Sequence, residues 1–260
     1  MKYLFLISMF FILSCGKQET SSLQGLGADG LSINMALVLG GPNGLEGVPT
    51  DVKELSKLLR DPIYKMGVYE DGVATVDRIK EATARFSTIE TNSLLWYFSG
   101  HGGGGSFLAE GDGSMTYKEV TDIIQQVRAN KPLKRLLFVL DTCEAGHAVD
   151  GNGAIIAGFD KALNSYNIKT KDGEIKSTLY EQAFVFAAST KDETSSDNGV
   201  EQGGEFTWKW RKAIEKLRAS NPNATIKDVT EETVKTTSGQ HPVYKAYPSD
   251  QVLNDYFFKY

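Results

Sequence analysis

Two short apolar runs, Leu94-Leu95-Trp96-Tyr97-Phe98 and Leu136-Leu137-Phe138-Val139-Leu140, dominate the hydrophobic pattern of this chain. Each has the length and composition of a strand buried on both faces of a parallel sheet. Ile33 to Leu39 and Ala183 to Ala188 read the same way, Met66 to Tyr69 more weakly, and Val243 to Tyr247 as a last strand. Pro242 suits a position at the start of that strand. Between the runs the apolar period lengthens to that of a helix. Pro49 to Arg60 places Val52, Leu55, Leu58 and Leu59 on one face, with Thr50 or Asp51 as cap. Val76 to Ile89 does so with Ile79, Ala82, Phe86 and Ile89. A third helix begins at Thr116, where Thr116 and Glu119 have capping-box spacing, and turns Val120, Ile123, Ile124 and Val127 inward. Phe206 to Ala219 and Ile226 to Thr236 complete the helices, and residues 147 to 180 read as irregular. Strands alternating with helices predict an α/β fold: about six strands, mostly parallel, with helices on both faces.

The two central runs end in polar residues. The first passes into Ser99-Gly100-His101-Gly102, the second into Asp141-Thr142-Cys143-Glu144-Ala145-Gly146. Ligands of open α/β sheets bind beyond the carboxyl ends of the strands. A histidine and a cysteine there face one cleft, and an adjacent imidazole is what turns a thiol into a nucleophile. Gly100 and Gly102 permit close approach of a substrate backbone. The N–H groups of Gly102 and Cys143 are the candidate oxyanion donors. His147 lies one helical turn from Cys143, as a base or metal ligand would, but no other cysteine or nearby histidine completes a metal site. It reads better as a loop histidine, and His241, beside Pro242, as structural. Gly25-Leu26-Gly27-Ala28-Asp29-Gly30 precedes a strand instead of following one, which excludes a dinucleotide fingerprint. The glycines at 102 to 105 lack the ending of a phosphate loop.

Composition changes this picture little. With 260 residues, 41% hydrophobic and 23% charged, the chain suits one α/β domain. A net charge of -5 without a basic block argues against nucleic acid as a partner. The N-terminus adds more. Lys2 and the apolar stretch Tyr3 to Leu13 are too short to span a bilayer and have the form of a secretory signal over residues 1–14. Ile12-Leu13-Ser14-Cys15 resembles a bacterial lipobox. That resemblance implies a lipidated Cys15, a flexible tether over 15–31 and a cell-envelope location, membrane-anchored through the lipid (palmitate and related acyl chains). The alternative is a plain signal peptide with a chance cysteine. Cys143 is the only other cysteine, so a lipidated Cys15 leaves it without a disulfide partner. A thiol redox function would need a second cysteine.

The two strand-end blocks resemble the histidine and cysteine blocks of caspase-like cysteine peptidases, with flanking residues of the metacaspase sort. Three further segments agree: Ala36 to Gly40 with Leu45-Glu46-Gly47 and Asp51, Ala188 to Asp197 with Gly203-Gly204-Glu205-Phe206-Thr207, and Gln240-His241-Pro242. Together they cover roughly residues 33 to 247. The resemblance implies a three-layer caspase-like sandwich over 32–260. It also implies a cysteine endopeptidase whose dyad is His101 and Cys143, with no cofactor in the chemistry and a protein or peptide as substrate. Asp141 and Ser99 map to the S1 pocket, where a carboxylate favours Arg or Lys at P1. Caspases read Asp with arginine, and no arginine of this chain sits in a matching block. Calcium activation stays open, with Glu110 and Asp112 the nearby acids. Lys161, Lys169, Lys171 and Lys176 fall where relatives are cut. The runner-up is a catalytically weak caspase-fold binding or signalling module at the cell envelope.

Overall fold

The computed structural model describes residues 33–61, 64, 66–88, 91–111, 113–128, 133–150, 155, 180–221, 223–247 and 253–254. The signal and tether segments, Cys15, Ile89, Asp112 and the four lysines between 161 and 176 lie outside them.

Six strands form the main sheet: β1 (Ile33–Gly41), β2 (Met66–Asp71), β3 (Thr91–Gly100), β7 (Leu133–Asp141), β8 (Tyr180–Ala187) and β9 (Val243–Tyr247). Their order is β2-β1-β3-β7-β8-β9, parallel throughout except that β9 runs antiparallel to β8. Strand alternation divides the core into two halves. Leu37, Leu39, Trp96, Phe98, Phe138 and Leu140 face one side; Val38, Leu95, Tyr97, Leu137, Val139 and Phe186 face the other. Both halves are covered, which is why these strands read as continuous apolar runs.

Helices α2 (Val76–Thr88) and α3 (Tyr117–Arg128) cover the first side through Ile79, Ala82, Phe86, Val120 and Ile124. Helices α1 (Val48–Leu59), α5 (Glu205–Ser220) and α6 (Ile226–Thr236) cover the second through Val52, Leu55, Phe206, Trp210 and Val229. A short turn, α4 (His147–Asp150), opens the segment expected to be irregular. The Thr116–Glu119 capping box is present, with Thr116 N–H donating to Glu119 Oε2 at 2.8 Å and Glu119 N–H donating to Thr116 Oγ1 at 3.1 Å. Thr225 and Asp228 form a second one on α6.

Two expectations are corrected. Helix α1 starts at Val48 behind Gly47, so neither Thr50 nor Asp51 caps it; Pro49 fills a first-turn position that needs no N–H donor. Residues 102–116, read only as a glycine run before a helix, fold into a three-stranded antiparallel sheet: β4 (Gly102–Gly103), β5 (Ser106–Ala109) and β6 (Gly113–Thr116). Its Phe107 and Met115 are fully buried against the first half of the core. The strands are too short to give a period, so only their turn glycines were visible in the sequence.

Candidate active site

The site begins with the register of three neighbouring strands. Gly40 on β1 pairs with Ser99 on β3, and Ser99 pairs with Asp141 on β7. Parallel neighbours stand about 4.8 Å apart, so the residues just past these ends share one edge of the sheet. There Asp51, Ser99, His101, Asp141, Cys143 and Gly204 line one open cleft. The four side chains expected at the site from sequence are therefore brought together, and Asp51 joins them.

Cys143 is a free, partly exposed thiol whose Sγ–H points at the Ser195 carbonyl, 3.9 Å away. His101 is also partly exposed. The backbone beyond the cysteine is committed elsewhere. Glu144 N–H donates to the Glu193 carbonyl at 2.7 Å, and Ala145 N–H donates to Ser189 Oγ at 3.3 Å. Among the described residues the Cys143 N–H has no such partner, which suits an oxyanion donor. Gly102 lies directly against the nucleophile loop: a Cβ there would sit 2.7 Å from Thr142 Cβ and Oγ1. Only glycine allows that approach.

Below the thiol two carboxylates converge. Asp141 is buried at the end of β7. Its Oδ1 accepts from Ser195 Oγ at 2.6 Å, and its Oδ2 accepts from Thr207 Oγ1 at 2.7 Å and Thr207 N–H at 3.1 Å. Asp51, fully buried on α1, accepts from Ser99 Oγ at 2.8 Å and Gly204 N–H at 3.0 Å. A Cβ at Gly204 would collide with Asp141 Oδ2 and stand 3.1 Å from Asp51 Oδ2, so both acids reach the site only because residue 204 has no side chain. Ser99 thus serves as donor to Asp51, while its strand partner is Asp141.

Burial raises the pKa of both acids. For Asp51 it is the largest cause, the charge of Asp141 adds to it, and the Gly204 N–H, the Ser99 hydroxyl and the Arg211 guanidinium pull back; the result is well above the ordinary carboxylate range. Asp141 is raised by burial against the hydroxyls of Ser195 and Thr207 and the Thr207 N–H. In both, burial disfavours the charged form. The sequence carries Asp51 as a cap candidate and in a segment that resembles the family, without a place in the site; it packs on the buried face of α1 beside Val52 and Leu55.

The remaining histidines lie apart from the cleft. His147 Nε2 is 3.8 Å from Glu144 Oε2, and the exposed His241 pairs through Nδ1 with Glu193 at 2.8 Å. Glu110 accepts from the Asn43 N–H at 3.1 Å. Among the described residues no group of three or more His, Cys, Asp or Glu side chains could hold a metal ion, and no helix is long and apolar enough to cross a membrane.

Comparison with known proteins bears on the whole domain. The family model of the caspase domain matches residues 33–253. A curated relative, the GPI-anchor transamidase of Schizosaccharomyces pombe, is 22% identical over 181 residues, which is 68% of this chain. The match covers 42% of that relative's length, well under half of it. Among solved structures, a protein of Geobacter sulfurreducens aligns over 87% of this chain and 98% of its own, with a TM-score of 0.59 at 14% identity. Caspase-1 from Spodoptera frugiperda aligns over 82% of this chain and 87% of its own, with a TM-score of 0.54, also at 14% identity. At such identity the likeness is one of fold.

Proposed function

This chain belongs to the caspase domain family, and we propose that it is a cysteine endopeptidase cleaving after Arg or Lys. The observation that carries the reading is the meeting of a histidine, a free thiol and a buried acid pair in one cleft at the strand ends. Cys143 Sγ attacks the scissile carbonyl carbon while His101 takes the thiol proton. The oxyanion rests on the Cys143 and Gly102 N–H groups. The C–N bond breaks as His101 passes its proton to the leaving amine, and a thioester remains. His101 then deprotonates a water that attacks the thioester, and the thiol is restored. Thiol and imidazole supply nucleophile and proton carrier between them, so these steps invoke no cofactor. A P1 guanidinium or ammonium adds a positive charge beside the Asp51–Asp141 pair, with Ser99 holding Asp51 in place. On the lipobox reading, Cys15 anchors the domain to the bacterial cell envelope.

The test is incubation of the purified protein with fluorogenic peptides ending in Arg, Lys, Asp or Asn, with and without calcium. Cleavage after Arg and Lys is expected. No cleavage of any peptide, together with no labelling of Cys143 by a thiol-reactive peptide probe, leaves a binding or signalling module instead. The transamidase relative favours a second reading in which the thioester is passed to an amine in place of water. Mass analysis of products formed with added glycinamide separates the two, because transfer retains the amine on the cleaved carboxyl.

A further inference from the structure

We propose that Glu144 is a positioning residue that ties the hairpin carrying His101 to the loop carrying Cys143, keeping imidazole and thiol in register. The inference rests on the reading of these two residues as the reacting pair. It starts from a conformation: Glu144 has φ +53, in the left-handed region that long side chains seldom occupy. Such strain persists where the surroundings over-determine it, and here they do. The Glu144 N–H is held by the Glu193 carbonyl at 2.7 Å, and its Oε2 accepts from the Gly104 N–H at 2.9 Å.

Gly104 is the tip of the turn between β4 and β5. Gly104 and Gly105 have φ +60 and +87, the pattern of a two-residue type I′ hairpin turn. That hairpin is continuous with the histidine. Strand β4 begins at Gly102, and Leu108 N–H donates to the His101 carbonyl at 3.0 Å. The anchor behind Glu144 is equally fixed, since the Glu193 carboxylate accepts from His241 N–H at 3.0 Å and Thr190 N–H at 3.3 Å. The left-handed turn at 144 thus directs a carboxylate from the nucleophile loop to the hairpin tip. A merely solvated loop acid would need neither the turn nor the charge-assisted bond to a backbone N–H.

Full-length wild type, E144A, E144Q and E144G are compared by three measurements: the iodoacetamide alkylation rate of Cys143, hydrogen exchange over residues 102–105, and peptide kinetics. Glutamine keeps an acceptor for Gly104, and glycine relieves the left-handed strain while removing the clamp. E144A and E144G are expected to alkylate more slowly, exchange faster at 102–105 and lose roughly ten- to a hundredfold in kcat with KM little changed. E144Q is expected to stay within about threefold of wild type, because the hydrogen bond survives without the charge. Unchanged alkylation and exchange in E144A and E144G overturn the proposal, as does an E144Q as impaired as E144A. A wild type that alkylates but cleaves no peptide defeats the peptidase reading alone, and alkylation and exchange still decide the clamp.

Discussion

The two halves of the cleft are built on opposite principles. The upper half, His101 and Cys143, is partly exposed and held mainly through its backbone: a hairpin on one side and a tight turn on the other. The lower half, Asp51 and Asp141, is almost fully buried and held through its side chains, with Ser99, Ser195, Thr207 and Gly204 donating to the carboxylates. On the proposed reading the thiol is a nucleophile that must remain accessible to its substrate, and its geometry is fixed from behind. On the same reading the buried acids select a cation, which is most effective where water is excluded, and their geometry is fixed from all sides. Ser195 joins the halves. Its carbonyl faces the thiol and its hydroxyl donates to Asp141.

The division predicts different losses on each side. Cys143→Ala and His101→Ala are expected to lower kcat by roughly a thousandfold or more, for every peptide alike, because they remove the reacting groups. Active-site titration and steady-state kinetics check this. A Cys143→Ala protein that still cleaves at a comparable rate breaks the comparison at its upper half. Asp141→Asn is expected to cost roughly 10²- to 10³-fold in kcat/KM for Arg and Lys peptides, the scale of a lost buried charge partner. Its thiol should alkylate as in wild type. If alkylation falls in step with turnover, the two halves are not separable and Ser195 transmits more than the comparison allows.

Legibility in the sequence followed the same division. The strands that carry both halves were plain because they are buried on two faces, and their ends marked the cleft edge at Ser99 and Asp141. The last strand and the helix before it agree with the pattern because each has a clean boundary, at Pro242 and at Thr225. What escaped depends on contacts between distant segments. Asp51 looks like a cap in a linear reading, yet its partners Ser99 and Gly204 are 48 and 153 residues away. Gly204 looks like one loop glycine among several, until two carboxylates are seen to occupy the space of its side chain. Residues 102–116 escaped for a local reason: two- and four-residue strands are shorter than the window in which alternation can be read.

The smallest predicted effect is also the most diagnostic of how the lower half is held. Asp51 has a folded-state pKa raised by burial and by Asp141, so the folded protein binds its proton more tightly than the unfolded chain. Its contribution to stability is complete below the ordinary carboxylate range and is lost as pH rises through the raised value. Asp51→Asn keeps the shape without a titrating group, so its melting temperature should equal that of wild type at low pH. Above about pH 4, where an unfolded aspartate ionises, the variant should pull ahead, and by neutral pH it should melt a few degrees higher. On the proposed reading, its turnover of Arg peptides should fall behind wild type over the same range, because the charge removed is the one assigned to P1. Thermal melts of both proteins from pH 4 to 8 read this directly. A difference that stays flat with pH means that the Ser99 and Gly204 donors already offset the burial. The acid pair would then be a settled part of the fold in wild type, with little left for a substrate cation to stabilise.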